Sequence, residues 1–499
     1  MISPLESDNM AAKKKGQNPS VHSAASSPTH ESTARPFDAK LCSKLDFHIL
    51  TPIFFLNVLS LMGRTNIGSA LIQQLPQDLK LDATKLFLVI VMPLIMLIIF
   101  DIPSNLIMRW LEKRFGLGYM RYLSLITVLL GWTLTVSNSI GVVTLGQAFL
   151  QSYGAMLATR FLVGFFDTGL IPGCVYILGL YYPSAHLQWR MSMLMVANIV
   201  SNIISGILAY GIAQIHSSNG YHGWRWIFMV EGLITVVVGA ICIWSNVSSP
   251  EKSTFLSQEE KDIIAKTVES HKSTIGLAAE WKIFLSSPLN YAWAAMFVFT
   301  CATTYSISLF APSIIQAFHP DWKTPEIQGQ VIPVFVVSSA AALLAGYGAD
   351  RLNHRLSFAL TGYAFTIIGY AILRKASEVS SSIQLLALYF ASLGTYTAMP
   401  MVWALSTVNQ PSRFQQALGA GFVISIGNSG GFVSSWSFRS SEAPHYAAGM
   451  TNCLILTCVA AGLAILALVY IKVANRRISG PAEGVEKSSG GNAPMRYRP

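Results

Sequence analysis

The chain has 499 residues, of which 52% are hydrophobic and 12% charged, with a formal net charge of +10 and a mean hydropathy of +0.48. A soluble domain carries about 25% charged residues, so this composition excludes an ordinary soluble globular protein. The only tight basic run is Lys13-Lys14-Lys15, which excludes a nucleic-acid-binding surface, and Cys42, Cys174, Cys242, Cys301, Cys453 and Cys458 show no C-x-x-C spacing that would hold a metal or frame a disulfide-rich fold.

Residues 1–46 are polar and rich in Ser, Ala, Lys and Pro. They predict a disordered tail rather than a cleavable signal. Twelve apolar runs follow, at about 47–70, 84–109, 118–138, 152–182, 190–213, 223–245, 289–315, 328–350, 356–374, 382–407, 416–438 and 446–473. Each is near the ~20 residues needed to cross about 30 Å of hydrocarbon. Helices are expected, because a lone strand leaves its backbone unsatisfied in lipid.

The expected organisation is an N-terminal six-helix half at 47–245 and a C-terminal six-helix half at 289–473. A middle loop at 246–288 joins them, and a second polar tail follows at 474–499. Within the middle loop, Ser257 followed by Glu260 is a capping-box pattern for a short surface helix. Most of the 34 Lys and Arg residues fall in the tails, the middle loop and the loops between even and odd spans. By the positive-inside rule both termini and the middle loop face the cytosol. Two six-span halves suggest duplication. The loop after span two, RWLEKRFG (109–116), and the loop after span eight, GYGADRLNHR (346–355), are both basic turns between a second and a third span.

At these loops the chain resembles the major facilitator superfamily, whose inter-helix loop motif matches Gly346, Asp350, Arg351 and Arg355. The segments RTNIG (64–68), DIPSN (101–105), RFLVGFFDTGLIPG (160–173), YYP (181–183) and GWRWIFMVEGL (223–233) follow the order and spacing of one branch. That branch is the anion:cation symporter family, in its fungal allantoate/nicotinate/pantothenate permease subgroup. YSISLFAPSII (305–315), Pro400, GNSGG (427–431) and APHYAAG (443–449) agree more loosely, and the resemblance covers about 45–475. It implies an all-α fold of twelve transmembrane helices in two pseudo-symmetric halves, an arginine linked to anionic substrate at Arg64, and a coupling or substrate-linked acid at Asp167. Three departures stand out. Gly63 replaces the acid that usually precedes RTN, Asp167 replaces a glutamate, and the stretch IGVVTLGQAFLQSYGAMLAT before Arg160 is about ten residues longer than the pattern.

Ionisable groups inside a span are expensive, by roughly 2.5–3.5 kcal/mol or more at the centre. They fall at Arg64, Asp101, Arg160, Asp167 and Glu231, all in the N-terminal half. Asn57, Ser60 and Gly68 share a helical face with Arg64. A guanidinium on a polar stripe suits bidentate contact with a carboxylate or phosphate; its alternatives are a structural ion pair or a snorkel to a headgroup. Arg160 and Asp167 are seven residues apart and so share a face about 10 Å apart along the axis. Asp167 is a proton-coupling candidate, because desolvation and a nearby arginine act on it in opposite senses; the alternative is an inter-helix clamp. Glu231 is a second proton-coupling candidate, with a structural pairing to Arg64 or Arg160 as its alternative. Arg160 and Asp101 read as gating or structural groups, as do Gly346, Asp350, Arg351 and Arg355.

The C-terminal half offers neutral groups for a planar or ring-bearing substrate. Tyr305 stands in a Thr303-Thr304-Tyr305-Ser306 cluster, Tyr396 and Trp403 share a face, and Asn428 lies among glycines. Packing with satisfied hydroxyls is the alternative for each. No phosphate-binding loop, HExxH or nucleophile elbow is present, so neither an enzyme nor an ATP-driven pump is expected, and no cofactor. The expectation is a monomeric plasma-membrane carrier of a small organic anion, a vitamin-like or ureide carboxylate, moved with protons by alternating access across the lipid bilayer. A uniporter or metabolite exporter without coupling, and a non-transporting nutrient receptor, stay open.

Overall fold

The computed structural model describes residues 39–135, 150–214, 222–245, 247–269, 277–352, 354–410, 413–438 and 446–479. The Lys13-Lys14-Lys15 run, most of the expected N-terminal tail, residues 140–149 of the lengthened stretch at 140–159 and the chain beyond 479 lie outside the described residues, as does the side chain of Asp350.

The described parts of the apolar runs are helical apart from two breaks. In the N-terminal half these are α1 (Ala39–Leu71, with a π turn at Asp46–Leu50), α2 (Ala83–Phe115), α3 (Tyr119–Thr135), α4 (Tyr153–Asp167), α5 (Leu170–Tyr181), α6 (Ser184–Ala213) and α7 (Gly223–Ile243). Two short helices follow, α8 (Gln258–Glu269) and α9 (Leu277–Ser286). The C-terminal half holds α10 (Pro288–Phe318), α11 (Thr324–Leu352), α12 (Arg355–Leu373), α13 (Ser381–Val408), α14 (Arg413–Gly427), α15 (Gly430–Ser437) and α16 (Ala447–Ser479). Ten described segments are long and apolar enough to cross a membrane, with α4 and α5 counted as one. The 17-residue α3 and the interrupted pair α14–α15 bring the crossings to twelve, six before the middle segment and six after it.

Two expected spans are interrupted rather than continuous. Span four breaks at Thr168–Gly169, directly after Asp167, where Gly169 has φ of +78°. A side chain on Gly169 would run into the Ser104 Oγ of α2, so both the left-handed backbone and the close packing require glycine. Span eleven breaks at Asn428–Ser429 inside the GNSGG stretch, where the glycines let α10 come close. Irregular backbone is tolerated at membrane depth only where protein or a cavity satisfies it.

The described parts of the middle segment, 247–269 and 277–288, are docked on the bundle. Ser257 and Glu260 form the reciprocal capping box at the start of α8, with the Ser257 amide donating to Glu260 at 2.8 Å and the Glu260 amide donating to Ser257 Oγ at 3.3 Å. Lys44 holds Glu260 at 2.7 Å, Lys252 holds Glu112 at 3.1 Å, and the Phe255 ring stacks on His48. On the other half, α9 inserts the buried Phe284 and Gln415 donates to Glu280 at 2.6 Å.

Buried apolar side chains form two clusters. One lies towards the end bearing residues 39 and 479 and includes Leu45, Tyr181, Trp293 and Trp403. The other lies towards the opposite, distal end and includes Ile67, Trp224, Phe310 and Phe438. At the distal end the halves are closed on each other. Gly68 of α1 lies against the Leu309 backbone of α10, Gly206 of α6 against Ile332 of α11, and Ser69 and Gln328 exchange hydrogen bonds at 3.4 Å. Polar side chains gather between the two apolar layers.

Candidate functional site

Helices α1 and α4 run antiparallel and face each other through their polar positions. Arg64 of α1 pairs through Nε with the Asp167 carboxylate at the end of α4, and Ser60, one turn before Arg64, donates to the other Asp167 oxygen. The arginine is 7% exposed and the acid 2%. Arg64 therefore does not snorkel to a headgroup, and its partner is the acid at the break in span four. The stripe containing Ser60, Arg64 and Gly68 faces protein along its length, as its polarity requires.

The opposite wall comes from the C-terminal half. Arg64 Nη1 donates to Tyr305 Oη at 3.5 Å, and Tyr305 donates to Asn428 Oδ1 at 3.3 Å. Arg64 Nη2 has no hydrogen-bond partner among the described residues. Asn428 reaches this wall because it sits at the break in span eleven. Tyr396 continues the wall, bonding Ser308 at 2.6 Å and accepting from Asn202 of α6 at 3.4 Å.

A second polar group lies beside the first but within the N-terminal half. Arg160 donates to the Gly63 carbonyl at 3.3 Å and to Asn66 Oδ1 at 3.4 Å, with its guanidinium 5.4 Å from the Phe228 ring centre. Glu231 accepts from Ser205 at 2.9 Å. Arg160 and Asp167 thus both face α1, as a seven-residue spacing dictates, yet each takes a different partner. Among the described residues Glu231 makes no ion pair with either Arg64 or Arg160. Gly63, which lacks the expected acid, presents its carbonyl to Arg160 instead.

Asp101 of α2 stands at the edge of the first cluster. It accepts from the Gly169 amide at 3.2 Å and from Ser425 of α14 at 3.4 Å. Other expected residues lie elsewhere. Asn57 donates to the Leu194 carbonyl at 3.0 Å, away from Arg64. Trp403 is buried in the apolar cluster near the terminal end, and its indole N–H has no partner among the described residues. Thr303, Thr304 and Ser306 bond backbone carbonyls of their own helix or neighbouring hydroxyls, leaving Tyr305 alone of that cluster at the site. In the 346–355 turn, Gly346 packs near Met401, Arg351 lies over the Tyr347 ring and Arg355 is buried.

Sequence reasoning missed Asn202, Ser308 and Ser425. Asn202 was detectable as an amide inside an apolar run; the two serines carry no such signal, because a hydroxyl satisfies itself on its own helix. The described residues contain no group of His, Cys, Asp and Glu able to hold a metal ion. The cluster can hold a carboxylate at Arg64 and a proton at an adjacent acid.

Comparison with known proteins fits this architecture. An uncharacterized transporter of Schizosaccharomyces pombe is 26% identical over 443 residues, covering 88% of this chain and 84% of that protein. A putative tartrate transporter of Agrobacterium vitis is 25% identical over 399 residues, covering 79% of this chain and 87% of that protein. The partially occluded inward-open xylose transporter XylE from E. coli superposes with a TM-score of 0.61 at 16% identity, covering 83% of this chain and 96% of that one. The profile of the Major Facilitator Superfamily matches residues 53–435. With twelve crossings in two halves and that match, the chain belongs to the major facilitator superfamily of membrane transporters.

Proposed function

We propose that this protein is a secondary active transporter of a small organic carboxylate that moves its substrate together with protons. The observation that carries the proposal is the buried Arg64–Asp167 pair, which faces Tyr305 and Asn428 across the junction of the halves and keeps Arg64 Nη2 free. The putative tartrate transporter among the relatives supports an anionic substrate. So does the resemblance of RTNIG and RFLVGFFDTGLIPG to the allantoate/nicotinate/pantothenate permeases.

The coupling follows from competition. Arg64 and Asp167 neutralise each other when no substrate is present. A substrate carboxylate takes the guanidinium, whose planar fork suits bidentate contact. Asp167 is then left buried with Ser60 alone. An uncompensated buried carboxylate is costly, so it takes a proton. One carboxylate and one proton enter together and the charge of the site is unchanged. The neutral wall of Tyr305, Tyr396 and Asn428 then orients the rest of the substrate. Glu231 and Arg160 hold α1 against α4 and α7, and Glu231 is a second place for a proton. The halves close alternately about this layer, with the 109–116 and 346–355 turns on the cytosolic side. The lysine and arginine distribution supports cytosolic termini, and the proposal takes a monomer in the plasma membrane as the working unit.

The test is uptake of labelled tartrate, nicotinate, allantoate and pantothenate into cells expressing the protein, with and without a protonophore. Accumulation of at least one acid that collapses with the protonophore is the expected result. Flux indifferent to the proton gradient would replace coupling with uniport, and binding without flux would make the protein a receptor.

A further inference from the structure

Both helix interruptions carry a residue of the proposed site. Asp167 lies two residues before Gly169 in the first break, and Asn428 lies three residues after Ser425 in the second. One side chain joins them. Asp101 Oδ1 accepts the Gly169 amide at 3.2 Å and Oδ2 accepts the Ser425 hydroxyl at 3.4 Å. Asp101 is 3% exposed; its bond to the Gly169 amide is buried and its bond to Ser425 is part-buried. Its neighbour on the same face of α2, Ser104, donates to the Thr168 carbonyl at 3.2 Å and bonds the Tyr122 hydroxyl at 2.7 Å, touching the first break only. Helix α2 thus supplies one residue that serves the break within its own half and one that links that break to the opposite half.

We propose that Asp101 is a positioning residue that ties the two helix interruptions together, so that a change at Asp167 is transmitted to the docking of the two halves. The physical reason is geometric. The Gly169 amide belongs to the two-residue turn that follows Asp167, so movement of the acid shifts the amide. A carboxylate held from both sides passes that shift to Ser425, and with it to the α14 end on which Asn428 rides. The tie is present while the distal end is closed, so losing it weakens that closed arrangement. The proposal rests on the transport reading for its purpose and not for its test.

Gln328 supplies the readout. It is fully buried at the distal end, where it bonds Ser69 across the junction of the halves. A single cysteine at this position (Gln328→Cys), in a background freed of the six native cysteines, reports opening of that end through its rate of alkylation by a maleimide. The measurement is made on the full chain in nanodiscs and needs no substrate. Ser425→Ala, which leaves Arg64, Asp167 and the first break untouched, is expected to speed labelling roughly fivefold, the scale of one net hydrogen bond. Asp101→Ala is expected to match it, and the double variant to label no faster than either single one, since the residues act through one contact. Ser104→Ala is expected to leave the rate within about twofold, because its bonds stay inside one half. An unchanged rate in Ser425→Ala, or effects of Asp101→Ala and Ser425→Ala that multiply, would overturn the tie. If Asp101→Ala does not fold, Ser425→Ala decides alone. Failure of the uptake experiment would leave these rates as they are, so the two readings fall separately.

Discussion

The two halves share a helical plan and differ in what they bury. The N-terminal half holds Arg64, Asp101, Arg160, Asp167 and Glu231 in its interior, whereas the site wall from the C-terminal half is built of Tyr305, Tyr396, Ser308 and Asn428. The same contrast holds at the middle segment. The N-terminal half grips it through Lys44–Glu260 and Lys252–Glu112, and the C-terminal half through Phe284 and the amide of Gln415. The difference separates two tasks. In the proposed mechanism the charges that change partners sit in one half. The other half supplies neutral groups, which in that mechanism recognise shape and polarity.

The contrast breaks most completely at Arg64. Arg64→Gln removes the only cation that contacts the site wall among the described residues and leaves Asp167 buried with Ser60. Truncating one side of a buried charged pair costs about 2–5 kcal/mol or more, so uptake of the preferred acid is expected to fall by roughly thirtyfold or more in kcat/KM. Near-normal KM in this variant would remove Arg64 from recognition. Asp167→Asn comes next. It keeps the shape of the site and abolishes the exchange of partners, so counterflow of bound substrate is expected to persist while uphill accumulation is lost. Full accumulation would move proton coupling elsewhere, with Glu231 the next acid to test.

Tyr305→Phe probes the neutral half. It removes one hydrogen bond to Arg64 and one to Asn428 and leaves the ring in place. A net cost of about 1 kcal/mol predicts a KM raised roughly fivefold with kcat little changed; a larger effect on kcat would give this hydroxyl a part in the moving step. The smallest effect is expected at the middle segment. Partial burial pushes the Glu260 carboxyl up, but the hydrogen bonds from Lys44 and the Ser257 amide, with the Lys44 charge, outweigh it and hold the group below the ordinary carboxylate range. Its contribution to stability is therefore present above the unfolded value of about 4.3 and is lost as pH falls through the lower folded value. Glu260→Gln should lower thermal stability by less than about 1 kcal/mol at pH 7, and the difference from the parent should vanish once the pH falls below the lowered folded value. A difference that persists in acid would assign the effect to the capping geometry rather than to charge.

The asymmetry of the halves was legible in the sequence, because a charged side chain in an apolar run is conspicuous wherever it points. So were the twelve crossings, since their length and composition are imposed by the bilayer. Partner choice was not legible. Arg160 and Asp167 lie on one helical face, but only the antiparallel packing of α1 against α4 decides that Asp167 meets Arg64 and Arg160 meets Gly63 and Asn66. The breaks were half legible. Both lay inside runs that read as continuous spans; the glycines of GNSGG are a cue to the second that the first lacks. Ser425 and Ser104 gave no sign, since a serine's worth depends on what another helix brings to it.

The central claim is that one carboxylate and one proton exchange partners at Arg64 and Asp167. It is tested most directly in proteoliposomes loaded with a pH-sensitive dye, to which a transported acid is added as an outward-to-inward gradient without a protonophore. The parent protein is expected to acidify the lumen as substrate enters. Asp167→Asn is expected to exchange labelled substrate at a comparable rate and leave the lumenal pH unmoved. Acidification by Asp167→Asn equal to that of the parent would contradict the account.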